Sequence, residues 1–365
     1  MKFDDEYGKQ FFFWKSRIGL YLILKAIGVG PGDEVILPGF TCVVVANAIL
    51  YLDATPVYAD IDPETYNVTA QTIAPLITEK TKVIIVQNTV GLSPDYDPIL
   101  SLAEQRNIFV VDDCAHGLGS SYKGRPAGTN THAAFFSTQW SKPISTGLGG
   151  VVLVRETKLS TKLEALYASV PVPAFWEQSV LALQVWVRPL ADHPVLHYSL
   201  VSLYRFITQR IGLSVGSSVG EELDGITMPD GYLKKMGAFQ KRDWEKGLRK
   251  LEKMTLHRRE VAHYYDDYFR MRDMPIPCIP NYAYHSMLRY MLRVKNKPDL
   301  LEKARIHHIP LGDWFISPLH PVENNLERWD YRPGNCPEAE KACKETVNLF
   351  TERPLSRKQL DILFL

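Results

Sequence analysis

Phe109-Val110-Val111-Asp112-Asp113, then Phe135-Phe136-Ser137-Thr138-Gln139-Trp140-Ser141-Lys142 and Gly147-Leu148-Gly149-Gly150, decide how this chain is read. The first run is apolar and ends in two carboxylates, the pattern of a buried parallel strand with acids at its C-terminal end. In open α/β sheets, ligands bind outside those ends. The second run reads as another short strand whose end presents one lysine before a glycine-rich turn.

A carboxylate and a lysine at two strand ends suit a pyridoxal phosphate site, with the lysine forming a Schiff base and the carboxylate pairing with the pyridinium nitrogen. Taken singly, Asp113 reads as a helix cap and Lys142 as a surface residue, since charged side chains are mostly exposed. Lys142, however, lies between aromatic and glycine-rich sequence and not on a charged face, which favours the site.

Outward from this pair, strands and helices alternate. Glu34 to Leu37, Pro56 to Asp60 and Val83 to Val86 read as strands; Ile18 to Ile27, Val43 to Tyr51 and Pro98 to Gln105 read as helices. That order favours a parallel sheet with helices on both faces. Phe11-Phe12-Phe13-Trp14 reads as an apolar cluster in the core or against a partner subunit. Val151 to Val154 is a further strand. The stretch from 156 to 225 is long, aromatic and apolar, with Phe175-Trp176, Val185-Trp186-Val187, Tyr198 and Tyr204-Arg205-Phe206, and reads as added helices. Ser214 to Gly220 reads as a flexible loop able to cover the site. Residues 227 to 270 read as one long charged helix, and a smaller α+β lobe follows from Ile276.

The chain has 365 residues, which favours two lobes. Its net charge of +1 gives no nucleic-acid footprint. Five widely spaced cysteines without a CxxC pair fit reduced thiols in a cytoplasmic protein, and no metal site is expected. No apolar run is long enough for a membrane span, and the acidic start is unlike a signal peptide.

The sequence resembles the sugar aminotransferases of the DegT/DnrJ/EryC1/StrS group. The resemblance rests on Val111-Asp112-Asp113-Cys114-Ala115-His116, on Tyr122 to Thr129, and on Phe136-Ser137 through Lys142 to Gly149-Gly150. Gly30 to Pro38 and Asp53 to Asp62 extend it. It implies an α/β chain of fold type I: a large pyridoxal-phosphate-binding domain over 1–240 with an atypical helical insert at about 156–225, and a small C-terminal domain over 241–365 that includes a bridging helix. It implies an aminotransferase that moves an amino group from an amino acid, glutamate first, to a keto sugar, nucleotide-linked in most of the group, through an internal aldimine on Lys142. Inosose-type cyclitols are the neighbouring acceptors. A catalytically silent relative is the alternative from another class. The family's sites form between two subunits, so a homodimer is implied.

Carried over position by position, Lys142 is the catalytic residue, Asp113 the partner of the ring nitrogen, His116 the contact to the ring hydroxyl and Ser137 a phosphate ligand. Asp113 is expected to stay ionised because the adjacent cation offsets its burial. Ser16 is a reasonable N-cap for the helix that follows, and its free N–H groups form an anion site. The family usually has Gly-Thr at this turn; here Ser16-Arg17 stands there, and Arg17 either grips the phosphate or is a surface arginine. Cys42 occupies the position of a ring-stacking aromatic, which a thiol cannot replace. Asn88 either contacts substrate or caps a turn, and His285 is either near the substrate or a satisfied core histidine. The family's cross-subunit asparagine has no counterpart at Ile226-Thr227-Met228-Pro229.

Overall fold

The computed structural model describes residues 7–191 and 221–365; the aromatics at 198–206 and the 214–220 loop fall outside them. Seven strands form one sheet in the order Lys9–Phe13, Gly150–Val154, Ala133–Ser137, Phe109–Asp113, Thr81–Gln87, Glu34–Pro38 and Thr55–Ala59. The last five run parallel, and the Gly150 strand turns antiparallel at one side. The central strands are apolar on both faces because helices cover both: Val83, Ile84, Val86, Val110 and Val111 have no exposed surface. This is the α/β architecture of fold type I.

The aromatic cluster near the start is a strand, not an irregular plug. Lys9–Phe13 pairs antiparallel with Gly150–Val154. Phe11 and Phe13 point into the core, and Tyr167 meets both rings edge-on at 5.5 and 5.2 Å. Three phenylalanines in succession hid the two-residue period.

The first helix, Ser16–Ile27, begins with Lys15 at the N-cap, and Ser16 makes no capping hydrogen bond. The expected Ser16 cap is therefore corrected: Ser16 is already inside the first turn. Gly150 packs against its backbone so closely that a Cβ there would lie 2.2 Å from Ser16 Cα. The long charged helix also starts later than the sequence predicts, spanning Ala238–Arg270. Pro229 lacks an amide hydrogen and Gly231 has φ +65, so the preceding stretch cannot continue a helix. Gln240 Oε1 instead accepts the Gly237 N–H at 2.8 Å and closes the helix start.

That helix joins two cores. Trp244 and Leu251 pack with Phe136 and Val151 behind the sheet. Val261, Tyr265 and Phe269 pack with Tyr290, Leu349 and Leu360 in the C-terminal lobe. Each such side chain contributes roughly 1.5–3 kcal/mol on burial. The lobe's own sheet pairs Arg289–Arg293 antiparallel with Thr346–Phe350. It is also sewn to the first lobe: Leu319–His320 runs parallel to Thr41–Cys42, and Trp329, Cys336 and Cys343 are buried in the main core. All five cysteines are free thiols. No helix among the described residues is long and apolar enough to cross a membrane.

Candidate active site

Successive strand residues face opposite sides of a sheet, so Asp112 and Asp113 part company. Asp112 turns into the protein. It accepts Tyr96 Oη at 2.6 Å, Asn88 Nδ2 at 2.7 Å and the Gly128 N–H at 3.1 Å. Asp113 turns the other way, and its Oδ1 accepts the Ala115 N–H at 2.8 Å. Burial pushes the Asp113 carboxyl up to about 7, with the Ala115 N–H and the Lys142 charge pulling the other way. The Lys142 charge alone does not repay the exclusion of water; the offset expected from the sequence is that of the cofactor's ring nitrogen. The sign follows: an acid whose folded pKa is raised makes the fold lose stability as pH rises from the ordinary carboxylate value through about 7, unless a positive partner joins it.

Lys142 sits in the turn after Ala133–Ser137, its N–H bonded to Gln139 O at 3.0 Å. The turn folds tightly: Thr138 and Thr146 hydroxyls meet at 2.7 Å, and a Cβ on Gly149 would lie 2.1 Å from Thr138 Oγ1. Lys142 Nζ is 2.8 Å from His116 Nε2. His116 Nδ1 accepts the Val90 N–H at 3.3 Å. A neutral ring that accepts at Nδ1 carries its proton on Nε2, so the Nε2–Nζ contact is a donated hydrogen bond only once the amine has lost its proton. Burial eases that loss. Burial, helped by Lys142, Arg289 and His320, holds His116 well below the usual histidine range. Burial brings Lys142 down to about 8, against the opposing pull of Cys42 and Asp113.

An aromatic reaches the site from the other lobe. Trp314 stacks on His116 at 4.8 Å with 3° between planes, and Lys142 Nζ lies 5.0 Å from the indole centroid. The sequence reading left the stacking partner open at Cys42 and did not find Trp314, for nothing in its local spacing ties residue 314 to residue 116. Cys42 itself is half-buried beside the charges of Arg17, Lys142 and Asp113; burial raises its thiol. His320 pairs in register with Cys42 and is brought down to about 4 by burial and by Lys142.

At the other end, Ser16 and Ser137 converge on one glycine. Gly150 is paired with Ser137 across the sheet and abuts Ser16. Both serines thus flank the start of the Ser16–Ile27 helix, whose free N–H groups attract anions. Arg17 is buried, which removes the surface-arginine reading. Its Nη1 is 3.4 Å from Glu222 Oε2, and Lys15 Nζ is 2.8 Å from the same oxygen. Glu222, unmarked in the sequence, is held by Asn47 donating to its carbonyl at 2.7 Å. Its Oε1 and the Tyr232 hydroxyl are buried with no hydrogen-bond partner among the described residues. Two cations to one carboxylate leave this end net positive.

Two expected substrate contacts are placed elsewhere. Asn88 is fully buried, and its amide is spent on Asp112, on the Asp113 carbonyl at 3.4 Å and on Ser93 Oγ, which donates at 2.9 Å. It props the acid-bearing strand end. His285 is buried, accepts the Met287 N–H at 3.0 Å and is kept neutral by burial, with a pKa brought down to about 3. It is a satisfied interior histidine.

Comparison with known proteins gives the family and the fold. GDP-perosamine synthase of Caulobacter vibrioides is 41% identical over 147 residues, 40% of this chain and 40% of that protein. L-glutamine:2-deoxy-scyllo-inosose aminotransferase of Streptomyces fradiae is 39% identical over 150 residues, 41% of this chain and 35% of that protein. These alignments therefore span well under half of each relative. Across nearly the whole chain the fold matches the aminotransferase TlmJ of Streptoalloteichus hindustanus, with a TM-score of 0.74, 24% identity, and coverage of 98% of this chain and 86% of that one. The profile of one family matches residues 17–179 and 223–363, taking in every residue of the site except Ser16, Lys15 and Glu222, and the chain belongs to that family, the DegT/DnrJ/EryC1/StrS aminotransferases.

Proposed function

We propose that the chain is a pyridoxal-phosphate-dependent aminotransferase acting on a keto sugar or a related cyclitol, with glutamate or glutamine as donor and two copies of the chain forming the working unit. The observation that carries this is the buried Lys142 amine 2.8 Å from His116, its pKa brought down to about 8, with Asp113 in its electrostatic field. The residues present fit the cofactor. Asp113 is a buried acid in want of a positive partner, and the Ser16, Ser137, Lys15 and Arg17 end is net positive at a helix start, as a phosphate requires.

When bound, pyridoxal phosphate supplies an electron sink for bond cleavage at the donor's α-carbon. Lys142 Nζ would hold the cofactor and carry the proton taken from that carbon, work for which a pKa near 8 is well matched. Asp113 would keep a proton on the ring nitrogen. The Ser16 and Ser137 hydroxyls and the Arg17 guanidinium would hold the phosphate. His116 would orient Lys142 and contact the ring hydroxyl, with Trp314 stacked behind it.

The acceptor class rests on the relatives' names, one of a GDP-linked sugar and one of an inosose with glutamine as donor. The test is a spectrum. The cofactor-loaded protein mixed with L-glutamate or L-glutamine should convert its bound cofactor from the pyridoxal to the pyridoxamine form. A loaded protein that shows no conversion with either donor would be a silent relative instead.

A further inference from the structure

We infer that Arg289, backed by Arg258, forms a receiving site for a substrate carboxylate, and that Glu352 is the internal carboxylate occupying it until substrate arrives. The proposal rests on the aminotransferase reading above and adds the residues that recognise the anionic part of its substrate.

Arg289 opens the Arg289–Arg293 strand of the C-terminal lobe and is buried. Its guanidinium lies 5.0 Å from the Trp314 centroid, the same distance as Lys142 Nζ. One indole therefore joins the reacting amine to this arginine. Among the described residues all its hydrogen bonds leave from Nη1, to Leu288 O at 2.9 Å and to both Glu352 oxygens at 2.9 Å. Nη2 and Nε, the remaining donors of the fork, make none.

Arg258 comes from the long helix and is buried too. Its Nη2 reaches Glu352 Oε1 at only 3.5 Å, and its Nη1 has no hydrogen-bond partner. A buried unpaired donor on a charged group is costly. Two enclosed guanidiniums thus share one carboxylate, which leaves a full positive charge uncompensated. Glu352 is the least enclosed of the three, with 43% of its side chain exposed. It is able to swing toward water while the arginines stay in place. Its two oxygens both accept from the one Nη1, so a planar carboxylate fits here while the two-nitrogen edges of the fork stay open for a better-matched one.

A substrate with its amine at Lys142 and a carboxylate at Arg289 would span the Trp314 face. Two sources offer that chemistry, the amino-acid donor and an acidic sugar acceptor. Calorimetric titration of the cofactor-loaded full chain with glutarate and, separately, with glucuronate tells them apart. Arg289→Gln should weaken one of these probes by roughly 10- to 100-fold, the worth of a charge-assisted contact. Weakened glutarate binding assigns the site to the donor; weakened glucuronate binding assigns it to the acceptor. Glu352→Gln should do the reverse and tighten the same probe several-fold, because it removes the competing charge. A purely structural Arg289–Glu352 pair would make both variants bind more weakly, and that result overturns the proposal. So does unchanged affinity in Arg289→Gln, or no measurable binding of either probe to the unaltered chain. The visible spectrum of the bound cofactor is read alongside. Its absence in the unaltered chain sinks the aminotransferase reading, whereas a normal spectrum with indifferent anion binding sinks this inference alone.

Discussion

The two walls of the site are built on different terms. On one, Asp113, His116, Ser137 and Lys142 come from a single stretch of chain and from strand ends that are neighbours in the sheet. On the other, Trp314, His320, Arg289 and Glu352 come from the second lobe, and Glu222 from a short helix, Glu221–Asp224, at the end of the 156–225 stretch. On the proposed function, the first wall would serve chemistry on a ring that pairs with a carboxylate and binds through an amine, and the second, with its arginine and indole, would select what is brought to that ring. Reaction type would then be set by contiguous sequence, and choice of substrate by segments that meet it only after folding.

That division is open to test, and the largest effect belongs to the first wall. Lys142→Ala should abolish the lysine–cofactor absorbance and cut turnover by about 10³-fold or more, since no other amine touches His116 among the described residues. An unchanged spectrum would break the division at once. Asp113→Asn should keep the fold and lower turnover by about 10²- to 10³-fold, because it removes a preorganised charge without removing volume; a steady-state assay beside a melting curve separates the two effects. The pH dependence comes next. Loading of cofactor-free protein with pyridoxal phosphate should accelerate as pH rises through about 8, the point where burial lets the Lys142 amine shed its proton. A rise centred near the ordinary lysine value would show that the enclosure of Lys142 is lost in solution. The smallest effect is structural. Asn88→Ala should destabilise the fold by roughly 1–3 kcal/mol in denaturant melts, as a partner of buried Asp112 is lost. A pronounced change in substrate KM at unchanged stability would instead return Asn88 to the substrate side.

The difference between the walls also explains what could be read in the sequence. The parallel sheet and the placing of Asp113 and Lys142 near neighbouring strand ends were legible because apolar runs and short spacings are local signals; His116 and Ser137 were named through the family resemblance. Arg17 was half legible: its position at a helix start pointed to an anion, but its burial and its bond to Glu222 were not visible. Ser16 was misread as a cap because a serine before an apolar run is the ordinary signal, and the close approach of Gly150 is a contact between distant segments. Trp314 was passed over, and Cys42 left without a substitute, because the indole reaches the site by way of the parallel pairing of Leu319–His320 with Thr41–Cys42, a register no local pattern records.

Gly150 has one more consequence. Its backbone angles are open to any residue; what forbids a side chain there is that the nearest atoms are the main chain of Lys15 and Ser16, at 2.2 to 2.8 Å from where a Cβ would sit. Main chain cannot rotate aside as a side chain does, so even one methyl group would act as a wedge, prising the first helix off the sheet as a rigid rod. That displacement would carry Ser16 away from Ser137, its neighbour across Gly150. A carrier that folds normally yet lets go of its prosthetic group is the phenotype to look for at this position.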